Sequence, residues 1–185
     1  MKETIKDPWI KIGYDLFANE GPNGLKIESL ARKVAKNKSS FYHHFADIEV
    51  FTDQLLAYHI KQSKAIALQA KNCKTIDPDL IQLLIASKTD ILFNRHLRIH
   101  RDHAAFKKCF LEANQPVEEA LLPIWTEALG LNSKKHLAKI ILNLTIENFY
   151  LQVTDKNLKY EWLVSYFDEI KKMVLAMEMP SNEQK

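Results

Sequence analysis

Residues 36–45 read KNKSSFYHHF, with lysines and serines leading into Phe41, Tyr42, His43, His44 and Phe45, before the chain turns acidic at Asp47. Phe41 and Phe45 stand four residues apart, the spacing of one helical face. With Phe41 on the buried side and about 100° per residue, Ser39, Ser40, Tyr42 and His43 point outward and His44 lies on the flank. Hydroxyls, a phenol and an imidazole behind lysines are groups that hydrogen-bond phosphate oxygens and base edges. Asn37 is a good N-cap, which turns the free amides of the helix start toward the same side. This is the layout of the second helix of a helix-turn-helix, and its expected partner is double-stranded DNA.

The chain on either side also reads as helical. Pro8, Trp9, Ile12, Leu16 and Phe17 form a first helix that ends at Gly21-Pro22-Asn23-Gly24, and Ile27, Leu30, Ala31 and Val34 form a short second one. Asp47 caps a long fourth helix reaching about Cys73, and Asp77 with Pro78 opens a fifth through Leu80, Leu83, Leu84, Ile91 and Leu92. Further helices are expected over Asp102–Ala113, Pro116–Leu129, Ser133–Thr154 and Tyr160–Met179. Four glycines in 185 residues fit this all-α reading of about nine helices. The formal charge of +3 is concentrated: residues 1–46 hold eight Lys/Arg against five Asp/Glu, and the rest of the chain balances. Five bases face one acid between Lys26 and Lys38, a patch that favours an anionic partner.

Ser40-Phe41-Tyr42-His43-His44-Phe45 with Asp47 and Glu49 resembles the TLYxYFxSKE run of the TetR family of bacterial transcriptional regulators. Leu16-Phe17-Ala18 with Gly21, and Ile27, Leu30-Ala31 and Val34, extend the resemblance over residues 9 to about 55. It implies a helix-turn-helix DNA-binding domain over residues 1–46, an effector-binding and dimerisation domain over 47–179, and a flexible tail at 180–185. It also implies a ligand-responsive regulator, expected to be a repressor, that binds a pseudo-palindromic operator as a homodimer. Lys26, Lys38, Ser39, Ser40, Tyr42 and His44 are the positions it turns to DNA, Ser40 and Tyr42 on phosphates and Lys38, Ser39 and His44 on bases or grooves. Two departures stand out. Ala35-Lys36-Asn37 replaces the usual Gly-Val-Ser of the turn, placing alanine where glycine is preferred and leaving Lys36 to lay its stem over the core with its ammonium toward phosphate. Ile48 stands where the family carries a lysine, which removes one phosphate contact.

Beyond residue 55 only periodicity guides the reading. Ser133–Thr154 is apolar nearly all round, so a second chain is expected to cover what the protomer's own core cannot. Leu137, Ile141, Leu144 and Leu151 from this helix, with Tyr166, Phe167, Ile170 and Val174 from the next, are the expected dimer interface. RHLRIHRDH, residues 95–103, places His96, His100 and His103 on one side of a helix beside Arg95, Arg98 and Arg101, unless Asp102 breaks that helix, and the interleaved arginines would repel a cation. These histidines are candidates for a metal site, for an effector pocket shared with Tyr58, Phe93, Phe106, Phe110 and Trp125, or for plain solvated surface. Pro123 is expected to kink its helix and open a cavity. A helical-bundle enzyme or metal-binding protein using the three histidines is the alternative function. The sequence holds no paired Glu-x-x-His, phosphate loop, nucleophile motif or HExxH, so no catalytic residue, metal or cofactor is expected. Cys73 and Cys109 form no disulfide or zinc framework, and the N-terminus has no apolar leader, so a cytoplasmic protein without a membrane anchor is expected.

Overall fold

The computed structural model describes residues 7–178, and among them nine α-helices and no strand. These are α1 (Asp7–Glu20), α2 (Ile27–Val34), α3 (Lys38–Tyr42), α4 (Ile48–Ala70), α5 (Ile81–Ala86), α6 (Lys88–Ile99), α7 (Ala104–Ala128), α8 (Lys135–Gln152) and α9 (Tyr160–Glu178). The all-α expectation holds. The tail expected at residues 180–185 lies outside the described residues.

The first three helices close on an aromatic cluster. Trp9 meets Phe41 edge-on at 5.5 Å between ring centroids, and Phe51 of α4 contacts both Phe41 and Phe45. Phe41, Phe45 and Phe51 are essentially fully buried. Phe45 lies one short turn past α3, held by its amide donating to the Phe41 carbonyl at 2.9 Å. The Asp47 carboxylate caps α4 by accepting from the Val50 amide at 2.8 Å.

Helix α1 is fastened to the rest of the chain along α6. Phe93 is fully buried and stacks on Phe17 (4.2 Å), Tyr14 (4.5 Å) and His59 (4.5 Å). Beside this stack runs a line of buried polar groups. The Tyr14 hydroxyl lies 2.6 Å from His59 Nδ1 and 2.7 Å from Asp90 Oδ1. His59 Nε2 approaches Asn94 Oδ1 at 3.1 Å, and Asn94 Nδ2 donates to Tyr150 (2.9 Å) and to Asn114 (3.2 Å). Five helices, α1, α4, α6, α7 and α8, meet in this one set of bonds. Where α1 ends, Gly21 takes φ +69° beneath His96, and an added Cβ would stand 2.6 Å from the imidazole Nδ1.

Two sequence expectations for the middle of the chain need correction. The helix expected to run from Asp77 to Leu92 bends at Ser87 (φ −95°, ψ 22°), which turns α5 toward α9 and α6 toward α1. Hydrogen bonds continue across the bend, Ser87 to Leu83 and Ile91 to Ser87, so the apolar period carries no mark of it. Asp77 is extended and accepts from Tyr160, while the Asp79 carboxylate takes the amides of Lys74 and Thr75. Conversely, the two helices expected over Asp102–Ala113 and Pro116–Leu129 are one, α7, which runs through Pro116 and Pro123. Each proline withholds an amide, from the carbonyls of Glu112 and Glu119, and both of those residues are exposed, where water can replace the bond. The long contact of α7 with α4 then outweighs the local loss.

Two positive-φ positions give a contrasting pair of expected outcomes. Ala35 sits at φ 56°, so Ala35→Gly relieves αL strain of about 1–2 kcal/mol, offset by about 0.5–1 kcal/mol of added chain entropy, for a small net gain. Gly21→Ala adds the same strain and a clash with His96, and should cost at least about 2 kcal/mol. Urea denaturation of both variants checks the signs.

The His96 imidazole is held down to about 4, first by burial, then by Arg95 and His100. Below the usual histidine value of about 6.5 the unfolded chain takes up a proton that the folded chain refuses, so stability present above pH ~6.5 drains away toward pH ~4. In His96→Gln the fall in unfolding free energy across that window should be shallower than in the wild type. Denaturation series at stepped pH test this, and parallel curves would contradict it.

Candidate nucleic-acid interface and inner cavity

The α2–α3 unit is built so that one side of α3 cannot be buried. Phe41 anchors it inward, the Asn37 carboxamide caps it by accepting from the Ser40 amide at 2.8 Å, and Ala35 in the left-handed region turns the chain between α2 and α3. Lys36, Lys38, Ser39, Tyr42 and His43 are exposed, as is Lys26 at the start of α2. Ser40 and His44 are half-buried at the margin. Tyr42 rests edge-on against Phe41 at 5.6 Å, so its ring is positioned while 56% of the residue remains open. The Lys38 ammonium is paired to the Glu28 carboxylate at 2.5 Å across α2 and α3. That bond holds the Glu28 carboxyl below its ordinary range. The pair is open to solvent, so a phosphate can compete for the lysine.

The histidines at 96, 100 and 103 do not form the single helical face that the spacing suggested. Helix α6 stops at Ile99, leaving Asp102 in a turn and His103 at the cap of α7, where it stacks on Phe106 at 4.4 Å. His96 faces Gly21 and stacks with His100 at 6.1 Å. Among the described residues no group of three His, Cys, Asp or Glu is arranged to hold a metal ion. Arg98 is drawn away to α8, where it pairs with Glu147.

Nor do the expected effector residues gather round one space. Phe93 is stacked core, Tyr58 packs edge-on to Tyr14 and Phe110 edge-on to Tyr150. His100, His103 and Phe106 border an open groove of about 580 Å³ between α4 and the α6–α7 turn. Only Trp125 borders a partly open apolar cavity of about 70 Å³ lined by α5, α6, α7, α8 and α9. Ile124, Trp125 and Phe167 form its boundary with a larger open groove of about 370 Å³. Leu84, Leu121, Ile146 and Tyr150 on the cavity wall were not singled out by sequence, because a leucine that lines a void and one that fills it have the same periodicity.

The expected dimer face divides in two. Tyr166 and Val174 are buried in the protomer's own core, Tyr166 through its hydroxyl donating to the Thr145 carbonyl at 2.8 Å, so neither is available to a partner. Ile141, Phe167 and Ile170 are half-buried against the same core. Leu137, Leu144 and Leu151 remain open on α8, recurring every seventh residue, with Leu144 65% and Leu151 63% exposed. Met173 and Met177 are open on α9. No helix among the described residues is long and apolar enough to cross a membrane.

No protein-family model matches the chain, and no curated protein is similar to it in sequence. Among solved structures, the fold is similar to that of a candidate TetR-family transcriptional regulator from Mesorhizobium loti MAFF303099, with a TM-score of 0.59 over 95% of this chain and 98% of that one. The two chains are 14% identical, so what they share is the all-α architecture from end to end.

Proposed function

We propose that the protein is a DNA-binding transcriptional regulator, a binding protein and not an enzyme, that acts as a homodimer and responds to a small-molecule effector. The observation that carries this reading is the outward face of α3: a five-residue helix pinned by Phe41 that holds Ser39, Tyr42 and His43 clear of the core, with Lys36 and Lys38 beside them. A helix so short buries little and stabilises little, and these polar groups are placed to meet phosphate and base edges. The fold shared with the Mesorhizobium loti protein supports the reading. In it, residues 1–46 read DNA, the helices after 47 dimerise and hold the effector, and repression of a pseudo-palindromic operator is the expected mode. His96 and His100 stack together while His103 turns away onto Phe106, so the three do not form the common face on which the metal-binding or enzyme alternative rested.

Selection from random duplex should return a two-fold-related sequence. Lys36→Ala should weaken binding to all sequences alike and lower the salt slope by about one. Glu28→Gln frees Lys38 and removes an acid from the face, and should tighten binding to every duplex. Failure to enrich any sequence, with binding to random duplex no tighter than that of a charge-matched protein, would sink the reading.

The dimer is expected to form across the Leu137, Leu144 and Leu151 strip. Leu144→Glu would bury an unpaired carboxylate at a cost of several kcal/mol and should yield monomers at micromolar concentration. Sedimentation of the wild type as a monomer at that concentration would contradict the assembly.

A further inference from the structure

Trp125 is 2% exposed, yet its indole Nε1–H finds no hydrogen-bond partner among the described residues. A buried donor left unpaired is costly and rare, and at the edge of a cavity it marks a place for an acceptor. The ring borders both the inner cavity and the open groove, with Phe167 beside it at 6.2 Å in edge contact. Behind it the wall is built from aliphatic side chains such as Leu80, Leu121 and Leu142, and no charged side chain among the described residues lines it. Asn114, Tyr150 and Tyr166 on the same wall already have partners of their own.

We infer that cavity and groove form one binding site for a neutral, largely apolar molecule with a hydrogen-bond acceptor, such as a ketone or ester, whose oxygen takes the Trp125 N–H. This names the chemical class of the effector and rests on the effector reading above. The alternatives fail on chemistry. An alkane leaves the indole unpaired, and an ammonium is itself only a donor. A carboxylate would give up its water with no cation on the cavity wall to replace it, and the groove outside sets Asp77, Glu127 and Asp168 against Lys74 and Lys171, a net negative rim. The cavity, at about 70 Å³, admits only a handful of atoms, so the remainder of the molecule lies in the groove.

The test is titration of the full chain, 15N-labelled at tryptophan, with 2-octanone and separately with octanoate near neutral pH. The indole resonance of Trp125 is identified by its loss in Trp125→Phe. Saturable binding of 2-octanone that moves this resonance is expected, at least about tenfold tighter than octanoate and weakened about tenfold in Trp125→Phe. Leu121→Trp, which fills the cavity, should abolish it. Octanoate binding equally well or better overturns the inference, as does a 2-octanone response that spares Trp125, or no binding of either probe. The two-probe comparison on the wild type decides the matter if a variant folds poorly. No DNA enters the titration, so a negative result leaves the DNA-binding reading standing. A chain that binds 2-octanone but selects no duplex would remove that reading and leave the site.

Discussion

The structure depends on how α1 is held against the body of the chain, and the Tyr14 hydroxyl is the centre of that attachment. It lies within 2.7 Å of two groups, His59 Nδ1 and Asp90 Oδ1, but carries one proton. The far end of the row is fixed in orientation. Asn114 Nδ2 donates to the Phe110 carbonyl, so Asn114 Oδ1 must accept from Asn94 Nδ2 and Tyr150, and Asn94 Oδ1 is left facing His59 Nε2. Filling every bond therefore calls for a further proton on Asp90 or His59. Burial opposes charge on both, pushing the Asp90 carboxyl up and the His59 imidazole down to about 4. A polar row of this kind is expensive to leave incomplete, which makes the seat of α1 specific as well as tight.

The same row joins two places of functional interest. At one end stands Tyr14 on α1, the helix whose Trp9 packs on Phe41 beneath the exposed face of α3. At the other end stand Asn114 and Tyr150, both on the wall of the inner cavity. Gly21 under His96 adds a second, independent attachment at the end of α1, too close for any side chain. The helices that carry the basic face are thus not loosely tethered; α1 is hydrogen-bonded to α4 and α6 and meets α7 through Phe17 and Phe106, and the polar row continues through Asn94 to α8.

What the sequence made legible was local and repetitive. Asn37 and Asp47 are caps because an Asx side chain before an apolar period has few other uses, and both accept the expected amides. Phe41 and Phe45 announced the inward side of α3, and Ala35 in a turn that favours glycine does take a left-handed conformation. Features set by tertiary context were not legible. Ser87 bends a helix without interrupting its hydrogen bonds, whereas Pro116 fails to end one because α4 holds α7 along its length. The histidine run looked like one face only on the assumption of a continuous helix, and it lost that geometry when α6 ended at Ile99. Tyr166 and Val174 share a stripe with Phe167 and Ile170, and no period distinguishes burial in one's own core from burial against a partner. The polar row was hidden because His59, Asn94 and Asn114 each look like ordinary surface residues until three helices bring them together.

The most direct test of the account is amide hydrogen exchange on the full chain with and without a duplex of the selected sequence. Protection is predicted over residues 26–44, strongest at α3, with α7 and the outer face of α4 unchanged. Protection confined to α8 and α9, or no change in α3 at saturating duplex, would contradict it.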